Sequence, residues 1–379
     1  MEKKRILFFV SSMGVGGAER VIQLLLNYYC ESYECDLIVV SGNSCAFELN
    51  SRIHVIYLDE YGKNKTVGNK ILTIIQKRKT VNRYIHQLEE DGWTFSLIAA
   101  HLNMAHIMAL VSSKRKETLY IMHNRQRLHN AGADTFLYKY VFRLIFKACK
   151  LGSVSEGIKR ELIDKYGIPG KQIEVICNPV DINKIRSLKA KDFRKRRKYI
   201  LGVGRLTPEK NFRRLIEIYN KGNFFKKYDL VILGDGELRD ELYKQISDLK
   251  LQKYVKLKGY CKNPYVWMEH AEILVNTSDY EALPMTLIEA LAVGTKVVSA
   301  QCNFGPDEVL VGELSKYLVS PINDINKYIE KINKALVSYP EIKREYYERF
   351  SVERIAEVYF EKDRQLSRSC YEDNCSHIS

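Results

Sequence analysis

Glu281 and Glu289 bracket the chemically richest stretch of this chain, EALPMTLIEALAVG at 281–294. Pro284 suits the first turn of a helix and Gly294 its C-terminal stop, so Glu281 falls on the preceding loop and Glu289 inside the helix. Leu287, Ile288, Ala290 and Leu291 surround Glu289, and a carboxylate in such company needs a hydrogen-bond partner. Ribose hydroxyls would serve. The bland alternative, two glutamates on a polar face, does not suit these neighbours.

A second stretch, GVGRLTPEKN at 202–211, follows an apolar run. Gly204 closes the run, and Arg205 and Lys210 flank the connection to the next helix. Two cations there can meet one departing diphosphate, the arginine as a fork and the lysine as a point charge. Exposed cations at helix starts are also common. The third stretch is SSMGVGGAER at 11–20, where Gly14, Gly16 and Gly17 sit at a strand-to-helix turn. Glycines let the backbone approach a phosphate, and a helix N-terminus favours its charge. A dinucleotide fingerprint would need a third glycine at Glu19, so a nicotinamide dehydrogenase is disfavoured. A tight turn without a ligand is the other reading. Asp235 and Glu237, in GDGE at 234–237, read as a turn and helix start. His123 and Asn124 follow an apolar run, where a single histidine is more often structural.

The elements that must position these residues alternate in type along the chain. Strands are expected at 5–10, 35–40, 54–57, 97–100, 118–122, 150–154 and 174–176, with helices such as 18–29 and 71–88 between several of them. The pattern stops at Asn178-Pro179-Val180-Asp181 and restarts at 199–203. A second series follows: strands at 230–233, 255–257, 273–276 and 296–298, helices at 238–249, 264–270 and 284–293. Such alternation predicts parallel sheets covered on both faces. The boundaries expected are an N-terminal domain at 1–180, a basic linker at 181–198, a C-terminal domain with its terminal helices at 199–366, and a tail at 367–379 without fixed structure.

With 379 residues, an apolar share of 46% and a formal charge of +14, the chain is neither disordered nor a coiled coil, and its length suits two domains. The first apolar run, Ile6–Val10, is too short for a signal peptide or a spanning helix. Nine scattered cysteines without a CxxC pair predict a reduced, cytoplasmic setting. The positive charge is concentrated: 25 Lys and Arg against 17 Asp and Glu over 1–180, 9 against 2 over 181–198, and 26 against 27 over 199–379. Such asymmetry points to an anionic partner for the first half, unless it is simply a solvated surface. FLYKYVFRLIFK at 136–147 places Lys139, Arg143 and Lys147 four residues apart among large apolar side chains. It reads equally as an interfacial stripe and as a core helix with one basic face.

Taken with GGAER at 16–20, VSEGIKREL at 154–162, NPVD at 178–181, LGDGELRDEL at 233–242 and FGPDEVL at 304–310, these motifs make the chain resemble glycosyltransferase family 4, retaining enzymes of the GT-B fold. It is most similar to bacterial members that build lipopolysaccharide, capsule or lipid-linked oligosaccharide. The resemblance implies an α/β fold of two Rossmann-like doubly wound domains facing across a cleft. It implies that Gly16 and Gly17 approach the donor diphosphate, that Arg205 and Lys210 bind it beside Gly204, and that Glu289 holds the ribose. Glu281, with the backbone at Leu283, Pro284 and Met285, would touch the donor sugar, as would His123 with Asn124. Asp235 and Glu237 would lie near the base.

No Asp-x-Asp occurs, so transfer without a metal or other cofactor is expected, with Arg205, Lys210 and helix N-termini in the ion's place. The donor is expected to be a UDP-N-acetylhexosamine or UDP-hexose. The expected acceptor is a lipid-linked, lipopolysaccharide or capsule glycan, met by peripheral contact at the inner face of an anionic membrane. A sugar-nucleotide epimerase or a phosphorylase shares the architecture. A basic nucleic-acid-binding protein would explain the charge but neither the glutamates nor the glycine turns, and no zinc-finger or RNP motif is present.

Overall fold

The computed structural model describes residues 3–61, 70–123, 136–188 and 197–375. Two compact units emerge: one comprises residues 1–179 together with 352–379, the other Val180–Ser351. Each is built on one all-parallel sheet.

In the first unit the strands are β1 (Lys3–Val10), β2 (Glu34–Val39), β3 (Ile53–Tyr57), β4 (Trp93–His101), β5 (Leu119–Met122), β6 (Lys150–Ser153) and β7 (Ile173–Val175). They lie in the order β3-β2-β1-β4-β5-β6-β7. Ile6 to Val10 are fully buried, as expected of a strand covered on both faces. Helix Gly17–Tyr29 contributes Val21, Ile22 and Leu24–Leu26 to the same core. One motif segment, VSEGIKREL at 154–162, serves a helix start here. The Ser155 hydroxyl accepts from the Ile158 amide at the start of helix Glu156–Tyr166, and Gly167 closes that helix in the left-handed conformation.

In the second unit the strands are β8 (Tyr199–Val203), β9 (Asp229–Leu233), β10 (Val255–Gly259), β11 (Ile273–Asn276), β12 (Val297–Ala300) and β13 (Leu318–Val319), in the order β10-β9-β8-β11-β12-β13. Leu215, Ile216 and Tyr219 of helix Phe212–Lys221 pack with Ile232, Val275 and Tyr328 at its centre. The strand order reverses between β1 and β4 in one unit and between β8 and β11 in the other. Both are doubly wound α/β domains, and the reversal opens a crevice at the carboxyl ends of the strands. The expected fold class therefore holds. The two-residue β13 is too short for its apolar pattern to stand out.

The C-terminal boundary is corrected. Residues up to 366 were expected to stay with the second domain, but helix Val352–Cys375 belongs to the first unit. There the Tyr29 hydroxyl donates to the Ala356 carbonyl at 2.9 Å, and the Lys150 ammonium pairs with Asp363. Tyr359 is fully buried against Phe8 and His101. Helical periodicity identifies a helix without saying which core receives it. The helix also runs through part of the expected tail, to Cys375. Within the expected linker, Ile182–Ser187 is helical, with Asp181 accepting from the Lys184 amide, while 189–196 lie outside the described residues.

Candidate active site

In the second unit the chemistry-bearing residues gather at the carboxyl ends of β8 and β11. After β8 the chain passes through Gly204 and Arg205 into the short turn Pro208–Lys210. Asn211 follows in a left-handed conformation and caps helix Phe212–Lys221 by accepting from the Arg214 amide. After β11, Thr277 donates its hydroxyl to the Asn211 carbonyl at 3.0 Å and so ties the two connections together. The Asn211 amide donates to Asp279 at 2.8 Å.

That tie brings Lys210 to Glu281. The ammonium lies 2.7 Å from Glu281 Oε1, and the Ser278 hydroxyl lies 2.7 Å from the same oxygen. Glu281 is 7% exposed, so its charge is held by a cation and a hydroxyl rather than by solvent. The neighbouring Cys302 thiol feels this charge: burial first, then Glu281, pushes it up to about 12. Arg205 differs in kind. Its side chain is 72% exposed and reaches Glu209 at 3.3 Å. Burial works against ionisation of Glu209, yet hydrogen bonds from its own amide and Thr207, with the charges of Arg205 and Lys210, hold its carboxyl below the usual value. Both cations thus stand around one carboxylate.

Glu289 lies on helix Met285–Ala292, where the Tyr265 hydroxyl donates to it at 3.4 Å. Leu283 and Pro284 are buried at the start of that helix, and Met285 is half-buried. Gly305 lies behind this loop: a β-carbon there would stand 2.7 Å from the Ala282 carbonyl oxygen, and its φ of +85° also favours glycine. The FGPDE segment therefore backs the Glu281 loop. Asp235 accepts from the Gly236 amide and pairs with Arg239, which suits the turn role expected of it, and Glu237 is exposed. Gly234 is needed for packing, since a β-carbon would fall 1.7 Å from the Gly204 carbonyl oxygen.

In the first unit, Gly16 precedes helix Gly17–Tyr29 in extended conformation, and its amide donates to the Gly14 carbonyl at 3.2 Å. A β-carbon on Gly17 would meet open space, so nothing within the described chain demands glycine there. The Ser11 hydroxyl, just after β1, accepts from the amides of Met104 and Ala105. His123 follows β5 and is 6% exposed, with Nε2 2.8 Å from Nδ1 of His101 at the end of β4. Burial first, then the nearby His106, pulls His123 down to about 3, although the Asn178 side chain works the other way. Asn124 lies outside the described residues.

Sequence reasoning missed His101, Ser278, Glu209 and Gly305. Two of them left a signal: Ser278 stands three residues before Glu281, and Glu209 lies between the two cations. His101, just after the apolar run at 97–100, left none. On helix Phe136–Phe146, Phe142 and Phe146 are buried, and Phe146 packs near Tyr120 and His106. Tyr140, Val141, Leu144 and Ile145 are 40–52% exposed. The helix thus packs Phe142 and Phe146 inward, and its outer face is apolar as well as basic.

Among the described residues no helix is long and apolar enough to cross a membrane, and no three His, Cys, Asp or Glu side chains are grouped to hold a metal. Cys30, Cys35, Cys45, Cys149, Cys177, Cys261 and Cys302 form no disulfide with one another.

Two family models match: Glycosyltransferase Family 4 over residues 15–184 and Glycosyl transferases group 1 over residues 183–351. The chain is 28% identical over 329 residues to an N-acetylgalactosamine-N,N'-diacetylbacillosaminyl-diphospho-undecaprenol 4-alpha-N-acetylgalactosaminyltransferase of Campylobacter jejuni, covering 85% of this chain and 87% of that one. A second Campylobacter jejuni enzyme, a GalNAc-alpha-(1->4)-GalNAc-alpha-(1->3)-diNAcBac-PP-undecaprenol alpha-1,4-N-acetyl-D-galactosaminyltransferase, is 25% identical, covering 87% of this chain and 92% of that one. Among solved structures, Anabaena Alr3699/HepE in complex with UDP and glucose superposes with a TM-score of 0.73 at 20% identity, covering 94% of this chain and 98% of that one.

Proposed function

This chain belongs to glycosyltransferase family 4 and has the GT-B fold, and on that premise we propose that it moves an N-acetylhexosamine or hexose from a UDP-sugar to a lipid-linked surface glycan. The observation that carries the reading is the convergence of Lys210, Glu281 and Arg205 at the carboxyl ends of β8 and β11. A diphosphate leaving there gains negative charge, and the two cations offset it. Glu281 fixes the Lys210 ammonium in place, while exposed Arg205 can swing onto the phosphate.

The proposed transfer retains configuration. The bond from the anomeric carbon to the phosphate oxygen breaks as the acceptor oxygen bonds to the same face, and the acceptor proton passes to the departing phosphate oxygen. Glu289 holds the ribose, Gly16 and Gly17 approach the diphosphate, and the backbone at Leu283–Met285 meets the sugar. Asp235 and Glu237 line the approach to the base. No metal is required in this scheme, because the cations and amides supply the charge that an ion would.

The acceptor class is read from the Campylobacter relatives, whose names specify undecaprenol-linked glycans. The outer face of helix Phe136–Phe146 supports a membrane setting at the cytoplasmic side. Tyr140, Val141, Leu144 and Ile145 offer apolar surface beside Arg143 and Lys147, a combination that suits anionic headgroups. The deciding experiment is a transfer screen across UDP-, GDP- and ADP-sugars with a polyprenyl-diphosphate glycan acceptor, reading released nucleotide with and without chelator. Release from a UDP-sugar that chelator does not change is expected; release from none of them, or release restored only by added manganese, overturns the reading.

A further inference from the structure

His101 and His123 share one hydrogen bond and leave one nitrogen on each ring without a partner among the described residues. His101 Nδ1 lies 2.8 Å from His123 Nε2, while His101 Nε2 and His123 Nδ1 are buried and unpaired. Burial, reinforced by the neighbouring histidines, holds both rings neutral at ordinary pH. Each ring therefore carries one N–H and one bare nitrogen, and only two arrangements fit the shared bond.

If His123 donated, the His101 proton would sit on Nε2. That ring is fully buried and stacked near Phe8, 5.1 Å between centroids at 29°, and Tyr359, 6.2 Å at 22°. An N–H enclosed there has no acceptor, a defect that folded proteins rarely keep. If His101 donates, the enclosed nitrogen is a bare lone pair, and the unsatisfied N–H moves to His123. There the Asn178 side chain favours a proton on the ring.

We propose that His101 is a positioning residue for His123: it donates from Nδ1 to His123 Nε2 and fixes His123 as the tautomer protonated on Nδ1. His123 then offers a hydrogen bond to a hydroxyl of the donor sugar and holds no lone pair with which to take the acceptor's proton. It acts as a donor and not as a general base. The identity of the ligand rests on the function proposed above; the tautomer does not.

The test separates the two. In protein labelled with 15N-histidine and free of substrate, the ring shifts and couplings are expected to place the proton of both His101 and His123 on Nδ1. A His123 proton on Nε2 overturns the proposal whether or not the protein is active. His101→Phe keeps the aromatic stack and removes the donor, so His123 Nε2 loses its partner and the fraction of His123 protonated on Nδ1 is expected to fall. Turnover should fall about 10- to 100-fold, the usual reach of an orienting partner, with the donor KM changed far less. His101→Asn, whose amide can donate from the position of Nδ1, should recover most of the loss, and His101→Gln should not. Equal losses in the Asn and Gln variants with an unchanged His123 tautomer would reduce His101 to packing.

Discussion

Lys210 Nζ and Glu281 Oε1 stand 2.7 Å apart across 71 residues of chain, held there by the Thr277 hydroxyl on the backbone that follows Lys210. Because Glu281 is buried, the pair matters to folding as well as to turnover. Lys210→Met leaves a buried carboxylate without its cation and should destabilise the second unit by about 3 kcal/mol. Glu281→Gln alone, and the double variant, should each cost less. Both single variants should lower turnover about 100-fold or more. Denaturant titration beside nucleotide release measures both effects, and additive stability losses would deny the coupling.

Arg205 offers the contrast, since most of its side chain meets solvent. Arg205→Ala should leave the melting temperature within about 1 °C, as exposed ion pairs contribute little, while turnover falls about 100-fold. Loss of stability in step with activity would make Arg205 a structural residue.

Two glycines should separate along the same line. A β-carbon at Gly234 collides with the Gly204 backbone, so Gly234→Ala should cost at least about 3 kcal/mol or yield insoluble protein. At Gly17 the space is open and the residue lies in a helix, so Gly17→Ala should raise stability by about 0.5 kcal/mol. It should nevertheless weaken binding of a nucleotide diphosphate, measurable by calorimetry. Unchanged affinity would remove Gly17 from the donor site.

Three buried histidines make stability depend on pH. His101 is held well below 6.5, His106 near 4 and His123 near 3, in each case chiefly by burial. Above about pH 6.5 the rings are neutral in both states and stability is full. As pH falls below that value the unfolded chain binds protons that the fold refuses, costing up to about 1.4 kcal/mol per pH unit for each ring. Buried Asp36 and Asp363, with raised carboxyls, work in the opposite direction at lower pH. Guanidinium midpoints should therefore decline between pH 6.5 and 5.5; a flat profile there means that the rings are charged in the fold.

Helix Phe136–Phe146 should bind vesicles containing phosphatidylglycerol and release them as salt rises. Leu144→Glu with Ile145→Glu should abolish flotation without unfolding the first unit, because both side chains are half-exposed. Equal flotation of the variant would shift any membrane contact elsewhere.

Much of this was legible before the structure. Period and length marked β8 and β11 to the residue. Glu289 was singled out by its apolar neighbours, Glu281 by its place before that helix, and Arg205 and Lys210 by theirs at a strand-to-helix connection; the last three converge in one unit. What escaped depends on which distant residues meet. No local pattern shows that His101 ends beside His123, that Gly305 lies behind Ala282, or that a helix starting at Val352 joins the sheet begun at Lys3.

That returning helix has a consequence for biosynthesis. The N-terminal sheet is translated before the second unit, yet the Tyr359 ring that covers Phe8 and the Ala356 carbonyl that accepts from Tyr29 are translated only after the whole of 180–351. Until Tyr359 and Ala356 emerge, apolar surface on that sheet stays open to chaperones and proteases. The second unit, continuous in sequence, can close as soon as it is made.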